Sequence, residues 1–370
     1  ISYYNSHGSD VHVVLLDATK AFDRINYVRL FNELINKGCC PKVIKLLHHM
    51  YTNQSLNVKW CNVLSKNFCA SNGVKQGGVL SPILFNLYLD ILLKSLSSSG
   101  FGCYIDNAFM GAVAYADDVV IMSPTVHSVN KLLNLCHKFS LAYDVKFNPT
   151  KSKYLYFPSK RTKNVSISKS ISLGGELVPT VSHEKHVGLV LGVDAFKKDV
   201  DKRVCELNAC TNTICNVFKL NNLVLLYKLL KIYGMSVYGS QLWDFSNATI
   251  CNKFFTCWRK CIRKLLNLPA RTHNNLIPAI ISDDNVDVQL HRRLLKFVYN
   301  VLTNNNPIIK MCGQLAINGS STALPRSVKY LCSIYNINMS DLIYKSVVTN
   351  IAPIQGPTTA VLAVAGAIQE

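Results

Sequence analysis

Acid is what this chain is short of. Its 370 residues carry 21 Asp and Glu against 40 Lys and Arg, a formal net charge of +19. Charged residues make up only 16% of the chain, against roughly 25% in an ordinary soluble protein. The imbalance comes from missing carboxylates, so any cluster of them stands out. Long apolar runs are missing too. None reaches the roughly 18 uninterrupted residues of a membrane span, and the polar opening Ile1–Asp10 lacks the pattern of a secretory signal. There is no Cys-x-x-Cys pair among the 14 cysteines. Cys257 and Cys261 stand one helical turn apart, but two thiols and the later His273 do not close a tetrahedral zinc site. Free thiols in a reducing compartment are the expectation. No internal repeat is visible, and no initiator Met opens the chain, which reads as a piece of a longer polypeptide.

What is present is a foldable, basic chain. Apolar residues reach 49% and mean hydropathy is +0.17, which excludes global disorder. The length allows two or three domains, each with its own core. A surplus of cations suits a polyanion, nucleic acid ahead of an acidic membrane, against the plainer alternative of charge for solubility alone.

The pattern divides the chain. Val11–Leu16 is a buried-strand run ending at Asp17. Asn26 opens a helix as its N-cap, and Pro41 opens another. Alternation between Ser55 and Cys69 suggests a hairpin, followed by the glycine-rich loop Gly73–Gly78. Ser81 as N-cap and Pro82 at the first helical position then start a helix through Leu96. Met110–Ala114 and Val119–Met122 read as strands joined by a turn carrying Asp117 and Asp118. A helix over 126–142 and a strand near 153–157 complete a mixed unit. Past residue 193 the texture becomes helical, with a weaker boundary near 304. The expected fold class is therefore α+β, an antiparallel sheet backed by helices, followed by a mostly α-helical part.

Asp17, Asp117 and Asp118 each sit at the end of an apolar strand. Carboxylates brought together at one sheet edge do not stay ionised without a cation. Hard divalent ions want such oxygen ligands, and a pair of them would serve an in-line nucleotidyl transfer. The bland alternative is a solvated turn, where Asp is common.

The setting of these acids resembles a known family. Leu15-Leu16-Asp17-Ala18-Thr19-Lys20-Ala21-Phe22-Asp23 resembles the first palm motif of reverse transcriptases. Gly73-Val74-Lys75-Gln76-Gly77-Gly78-Val79-Leu80-Ser81-Pro82 is similar to the second, and Ala114-Tyr115-Ala116-Asp117-Asp118 to the third. Asn148-Pro149-Thr150-Lys151-Ser152-Lys153 looks like the fourth, while His186-Val187-Gly188 stands where an aromatic, a leucine and a glycine usually form the primer grip. All five occur in family order. The form of the first two motifs, with Trp258–Leu266 farther on, resembles the enzymes of non-LTR, LINE-type retrotransposons.

The resemblance implies a palm over 1–192 with its upstream fingers largely missing, a helical thumb over 193–303, and a C-terminal extension over 304–370 of unknown role. It implies DNA synthesis on an RNA template, with a DNA primer or target DNA and dNTPs as partners, no membrane, and a location in nucleus and cytoplasm. Asp17, Asp117 and Asp118 match the acids that hold two Mg²⁺, or Mn²⁺. Ala18 matches a backbone contact to the triphosphate. Phe22 matches the ring that screens the sugar 2′ position, its alternative being a core Phe. Gln76 and Gly77 match the loop at the nascent base pair, and Lys151 the cation near the leaving pyrophosphate. Asp23 is expected to cap the following helix. An upstream endonuclease, a CCHC knuckle and an RNase H acid set are not readable.

In the helical part, Arg259, Lys260, Arg263 and Lys264 form two i,i+4 pairs, with weaker clusters at Lys197, Lys198, Lys202, Arg203 and at Arg292, Arg293, Lys296. Such stripes neutralise phosphates without reading sequence. A solvated basic face is the alternative, and Trp258 is expected in the core. Three activities therefore compete: an RNA-directed DNA polymerase, a catalytically inactive nucleic-acid-binding remnant, and an RNA-directed RNA polymerase or maturase-type protein.

Overall fold

The computed structural model describes residues 1–159, 161–162, 170–192, 194–218, 222–235, 237–319 and 322–344. Residues 345–370, which include the tail from Pro357, lie outside the described residues. Two compact units emerge, one over Tyr3–Val187 and one from Gly188 onward.

In the first unit the six residues Val11–Leu16 (β1) are all buried. A strand buried on both faces must give every backbone group to neighbours on both sides. It does: β1 lies between Asp118–Ser123 (β3) and Lys153–Phe157 (β4), antiparallel to each. Ala112–Tyr115 (β2) forms the outer edge beyond β3, giving the order β4-β1-β3-β2. Edge position explains why Val113 and Tyr115 are exposed while Val119 and Ile121 are buried.

The turn differs by a residue or two from the reading of the sequence. Strand β2 runs through Tyr115 and β3 begins at Asp118, so the turn is Ala116-Asp117. Ala116 has φ +52 there, a left-handed conformation that a Cβ disfavours by about 1–2 kcal/mol.

Helices Tyr27–Asn36 (α1), Pro41–Thr52 (α2), Ser81–Ser97 (α3) and Val126–Tyr143 (α4) accompany the sheet. Asn26 caps α1, its side chain accepting from the Arg29 N–H at 3.2 Å. Leu84, Tyr88 and Leu92 of α3 and Leu132 and Cys136 of α4 share one core with Val14, Leu16, Val119 and Ile121. Tyr88, fully buried, donates its hydroxyl to the Tyr143 carbonyl at 2.6 Å and ties the end of α4 to α3. The 55–69 segment is a hairpin of two short ladders, Ser55–Leu56 with Phe68–Cys69 and Lys59–Trp60 with Val63–Leu64.

The second unit is helical. Ala195–Val217 (α5), Ala248–Leu265 (α6), Val286–Leu302 (α7), Pro307–Asn318 (α8) and Ala323–Tyr335 (α9) are its long elements. Trp258, as expected, is fully buried, and Phe254, Ile262, Leu294 and Val298 pack in the same core. Among the described residues no helix is long and apolar enough to cross a membrane.

Asp10 fastens the start of β1. Its carboxylate accepts from the Ser159 N–H at 2.8 Å, the Tyr156 hydroxyl at 2.7 Å and the Thr162 hydroxyl. Burial pushes its pKa up, but these donors outweigh that and hold it at about 2. A depressed folded-state pKa gives stability that is present above the ordinary carboxyl value of 3.8 and is lost as pH falls through about 2. Asp10→Asn is therefore expected to lower the unfolding temperature at pH 7 and to show less further loss than wild type on acidification below pH 4. Thermal unfolding followed by circular dichroism across that range checks it. Parallel pH curves for the two proteins would contradict the assignment.

Candidate active site

The end of β1 is built from the sequence upward. The β1–β3 register pairs Leu16 with Val119. Asp17 follows directly after Leu16 and Asp118 directly precedes Val119, so the two acids flank the last pair of this ladder. Two acids far apart in sequence thus emerge at one end of adjacent strands, beside the turn carrying Asp117. Asp17 and Asp118 are half-buried, and Asp117 is exposed.

The backbone of Asp17 is clamped by the Asn148–Ser152 loop. Its N–H donates to Ser152 Oγ at 3.1 Å, and its carbonyl accepts from the Asn148 N–H at 2.8 Å. Asn148 Oδ1 in turn accepts from the N–H groups of Thr150 and Lys151, at 3.0 and 3.2 Å. That Asx turn sets Lys151, exposed, next to buried Ser152. Asn148 and Ser152 are site residues that sequence reasoning quoted but gave no role. The Asn-Pro-Thr turn signal was the clue. Ala18 pairs with Phe147 in a short ladder just past Asp17.

Phe22 stacks on Phe85 of α3, ring centroids 4.6 Å apart and planes at 15°. It is half-buried and lines a cleft of about 680 Å³ with Ala114, Tyr115 and Ala116 of the β2 end. The glycine-rich loop docks on the same turn: the Gly73 N–H donates to the Ile25 carbonyl and the Val74 N–H to the Phe22 carbonyl. Gly73 has φ +89, and a Cβ there would lie 2.8 Å from the Asp23 backbone, so glycine is required. Gly77 also has positive φ, with open space where a Cβ would stand.

Two expectations need correcting. Asp23 does not cap α1, a task performed by Asn26. Its Oδ1 instead accepts from Gln76 Nε2 at 3.1 Å, which fixes the exposed Gln76. Ser81 does not cap α3 either. It lies inside the helix and donates its hydroxyl back to the Lys75 carbonyl, closing the loop.

His186 contributes something the sequence did not announce. Its Nδ1 stands 4.0 Å from Asp118 Oδ1, an ion pair when the imidazole is protonated. The strand His183–His186 ends on this residue, and Val187 and Gly188, which turn the chain after it, both have positive φ.

The donor chemistry at this corner, carboxylate oxygens at converging strand ends, fits hard divalent cations. Yet among the described residues no three His, Cys, Asp or Glu side chains come together closely enough to hold a metal ion. Asp17 and Asp118 flank the last pair of the β1–β3 ladder, and Asp117 lies on the exposed turn.

The helical unit distributes its cations unevenly. Arg263 donates to the Thr272 carbonyl from Nε at 3.2 Å and Nη2 at 2.7 Å, and to Asn274 Oδ1 at 2.6 Å. Arg293 donates to the Val237 carbonyl, and Arg203 to the Tyr238 carbonyl and Glu206. Arg292 pairs with Asp284. Lys260 and Lys264 are exposed, Lys264 reaching Asn212 Oδ1 at 2.6 Å. Arg259 is half-buried in a cavity wall. The four cations on α6 therefore do not form one uniform stripe.

Comparison with known proteins identifies the family of the first unit. Residues 1–193 match the family model described as reverse transcriptase (RNA-dependent DNA polymerase). The chain belongs to that family. Over 194 residues it is 26% identical to the Retrovirus-related Pol polyprotein from type-2 retrotransposable element R2DM of Drosophila melanogaster, covering 51% of this chain and 18% of that protein. Over 326 residues it is 19% identical to the RNA-directed DNA polymerase from mobile element jockey of Drosophila funebris, covering 84% of this chain and 34% of that protein. The chain thus spans well under half the length of these relatives. Among solved structures, apo telomerase from Candida tropicalis aligns over 96% of this chain and 55% of its own, at 11% identity and a TM-score of 0.44.

The clamp on Asp17 is testable. Ser152→Ala leaves the Asp17 N–H without its acceptor in a half-buried setting, at an expected cost of about 1–3 kcal/mol. Urea unfolding measures the loss. Stability equal to wild type would show that the Ser152 contact does not hold the end of β1.

Proposed function

We propose that this chain is the palm and thumb region of an RNA-directed DNA polymerase of a non-LTR retrotransposon. It would extend a DNA primer or nicked target DNA on an RNA template, using dNTPs. The observation that supports this reading is the Leu16–Val119 pairing, which leaves Asp17 and Asp118 flanking the last pair of the β1–β3 ladder, together with the cleft walled by Phe22 and Tyr115-Ala116. A nucleotidyl transfer needs carboxylates, a bounded sugar site and a cation, and Asp17 and Asp118, Phe22 and Lys151 are the residues proposed for them.

In this reading Asp17, Asp117 and Asp118 hold divalent ions, Mg²⁺ or Mn²⁺. Those ions, when bound, supply Lewis-acid activation of the primer 3′-hydroxyl and charge for the departing pyrophosphate. The Ser152 and Asn148 contacts fix the backbone from which Asp17 projects. Ala18 offers backbone to the triphosphate, and Phe22, held flat against Phe85, excludes a 2′-hydroxyl by bulk. Gln76, held by Asp23, and Gly77, free of neighbours, meet the template and nascent pair. Lys151 steadies the leaving pyrophosphate. His186 pairs with Asp118 at the primer side.

The proposed division is palm to residue 192, thumb over 193–303 and an extension beyond. The compact units, which divide between Val187 and Gly188, support a break in this region. Exposed Lys260 and Lys264, rather than Arg263, are the phosphate contacts proposed for the thumb. A polymerase of this kind would work in nucleus and cytoplasm.

Primer extension on an RNA template tests the reading. Asp17→Asn and Asp117→Asn are each expected to cut extension at least about a hundredfold, the scale of losing one preorganised electrostatic group. Duplex binding should be unchanged, and Mn²⁺ binding, followed by its paramagnetic resonance, should weaken. Extension retained by Asp117→Asn would remove the metal assignment. A wild-type chain that binds duplex without extending it would leave the inactive-remnant reading in its place.

Phe22→Ala is expected to raise ribonucleotide incorporation relative to deoxyribonucleotide by about tenfold or more. Unchanged selectivity would return Phe22 to the role of a core residue.

A further inference from the structure

The helical unit holds a second concavity, well separated in sequence from the acids. A cavity of about 270 Å³ opens among α6, α7 and α9, near the low end of small-ligand sites. Its walls are aromatic: Phe245, Tyr330 and Tyr335 line it, with His291 at the base. The His291 ring meets Phe245 edge-on, centroids 5.0 Å apart at 89°, and its Nδ1 lies 2.9 Å from the Tyr335 hydroxyl. Burial holds the His291 pKa down to about 4, so this base is a neutral surface near pH 7.

Three residues with polar side chains line the same space. Arg259 is partly desolvated, which lowers its pKa, while the charge of Asp287 acts the other way. Asp287 lines the wall, one carboxylate oxygen accepting from the Val288 N–H at 3.0 Å. Asn285 stands at the start of α7 yet does not cap it, and its Oδ1 is buried with no hydrogen-bond partner. An orphaned buried acceptor costs about 1–3 kcal/mol, which a ligand offering N–H donors would recover.

We propose that this cavity receives one unpaired guanine base of a bound nucleic acid. The inference rests on the nucleic-acid-binding part of the reading above, not on catalysis. A planar aromatic ligand suits the walls, where stacking on one side chain is worth about 1–3 kcal/mol. Guanine combines two features that match the polar groups. Its O6 and N7 are adjacent acceptors that fit the guanidinium fork. Its N1–H and N2–H groups are adjacent donors, which the Asp287 carboxylate and the Asn285 amide oxygen accept. Adenine turns an N6–H donor toward the guanidinium and loses that pairing. Arg259 on this view reads a base, unlike its neighbours Lys260 and Lys264 on the exposed side of α6.

Binding of short RNA duplexes to the whole chain, without primer extension, tests the proposal. Duplexes carry a single bulged G, a single bulged A, or no bulge, and calorimetry gives the affinities. The bulged-G duplex is expected to bind about tenfold or more tighter than the other two, the scale of one bidentate base contact. That preference should vanish in Asp287→Asn and in Asn285→Ala, with affinity for the fully paired duplex unchanged. Tyr330→Ala, at a partly exposed position, should weaken bulged-G binding without unfolding the helical unit. Equal affinity for all three duplexes overturns the proposal, as does a guanine preference that survives both Asp287→Asn and Asn285→Ala. A chain that extends primers but shows no preference overturns this inference alone. A chain that prefers guanine but does not extend removes only the polymerase reading.

Discussion

Everything at the active corner depends on the burial of one strand. Val11–Leu16 has strands on both sides and no face left for water, so its apolar side chains and its backbone are satisfied only in this position. A strand has a side-chain period of two, so slipping by one residue would exchange its faces and shift both ladders. That would also move Asp17 away from its place at the end of the β1–β3 ladder. The chain prevents the slip at both ends. Asp10 binds the 156–162 segment before the strand begins, and the Asn148–Ser152 loop grips the Asp17 backbone where it ends. The geometry of this corner is thus a consequence of where a hydrophobic strand must stop.

Scarcity of acid sharpens this arrangement. With 21 carboxylates against 40 cations, the field around most of the chain is positive and attracts phosphates. Three of the 21 carboxylates, Asp17, Asp117 and Asp118, stand at or beside strand ends of the first unit. In the helical unit, Arg and Lys have divided the work by chemistry. Arg203, Arg263 and Arg293 spend their forked donors on main-chain carbonyls, those of Tyr238 and Val237 distant in sequence and that of Thr272 just past the end of α6. Lysines of the same unit make single contacts instead, Lys264 to Asn212 Oδ1 and Lys253 to Asp201, as suits a compact ammonium.

Much of this was legible in the sequence because buried strands and glycine-rich loops announce themselves. The run at Val11, the strands flanking Asp117-Asp118, and the long helices past residue 193 are patterns of burial, and burial is what periodicity records. The remainder depends on contacts that no local pattern encodes. Nothing near Asp23 indicates that its carboxylate serves Gln76, and nothing near Ser81 indicates that its hydroxyl turns back to Lys75. A basic helix face looks the same in sequence whether its arginines meet solvent or a carbonyl such as that of Thr272. The cavity lined by Arg259 and Asp287 joins helices whose partnership only tertiary packing reveals.

The turn between β2 and β3 shows the same tension at a single residue. Glycine would take φ +52 without strain, yet the position is Ala116. Its side chain lines the cleft that Phe22 bounds, alongside Ala114 and Tyr115. A glycine would relax the turn but remove a wall atom from that cleft and loosen the segment leading into Asp117 and Asp118. Strain held beside a reacting centre persists only where the surroundings over-determine it. Here the β2–β3 ladder, with Asp118 paired to Tyr115 and Val119 to Ala114, supplies that constraint directly across the turn. The cost of the alanine is therefore borne by the sheet, and its return is a stiffer approach to the two acids.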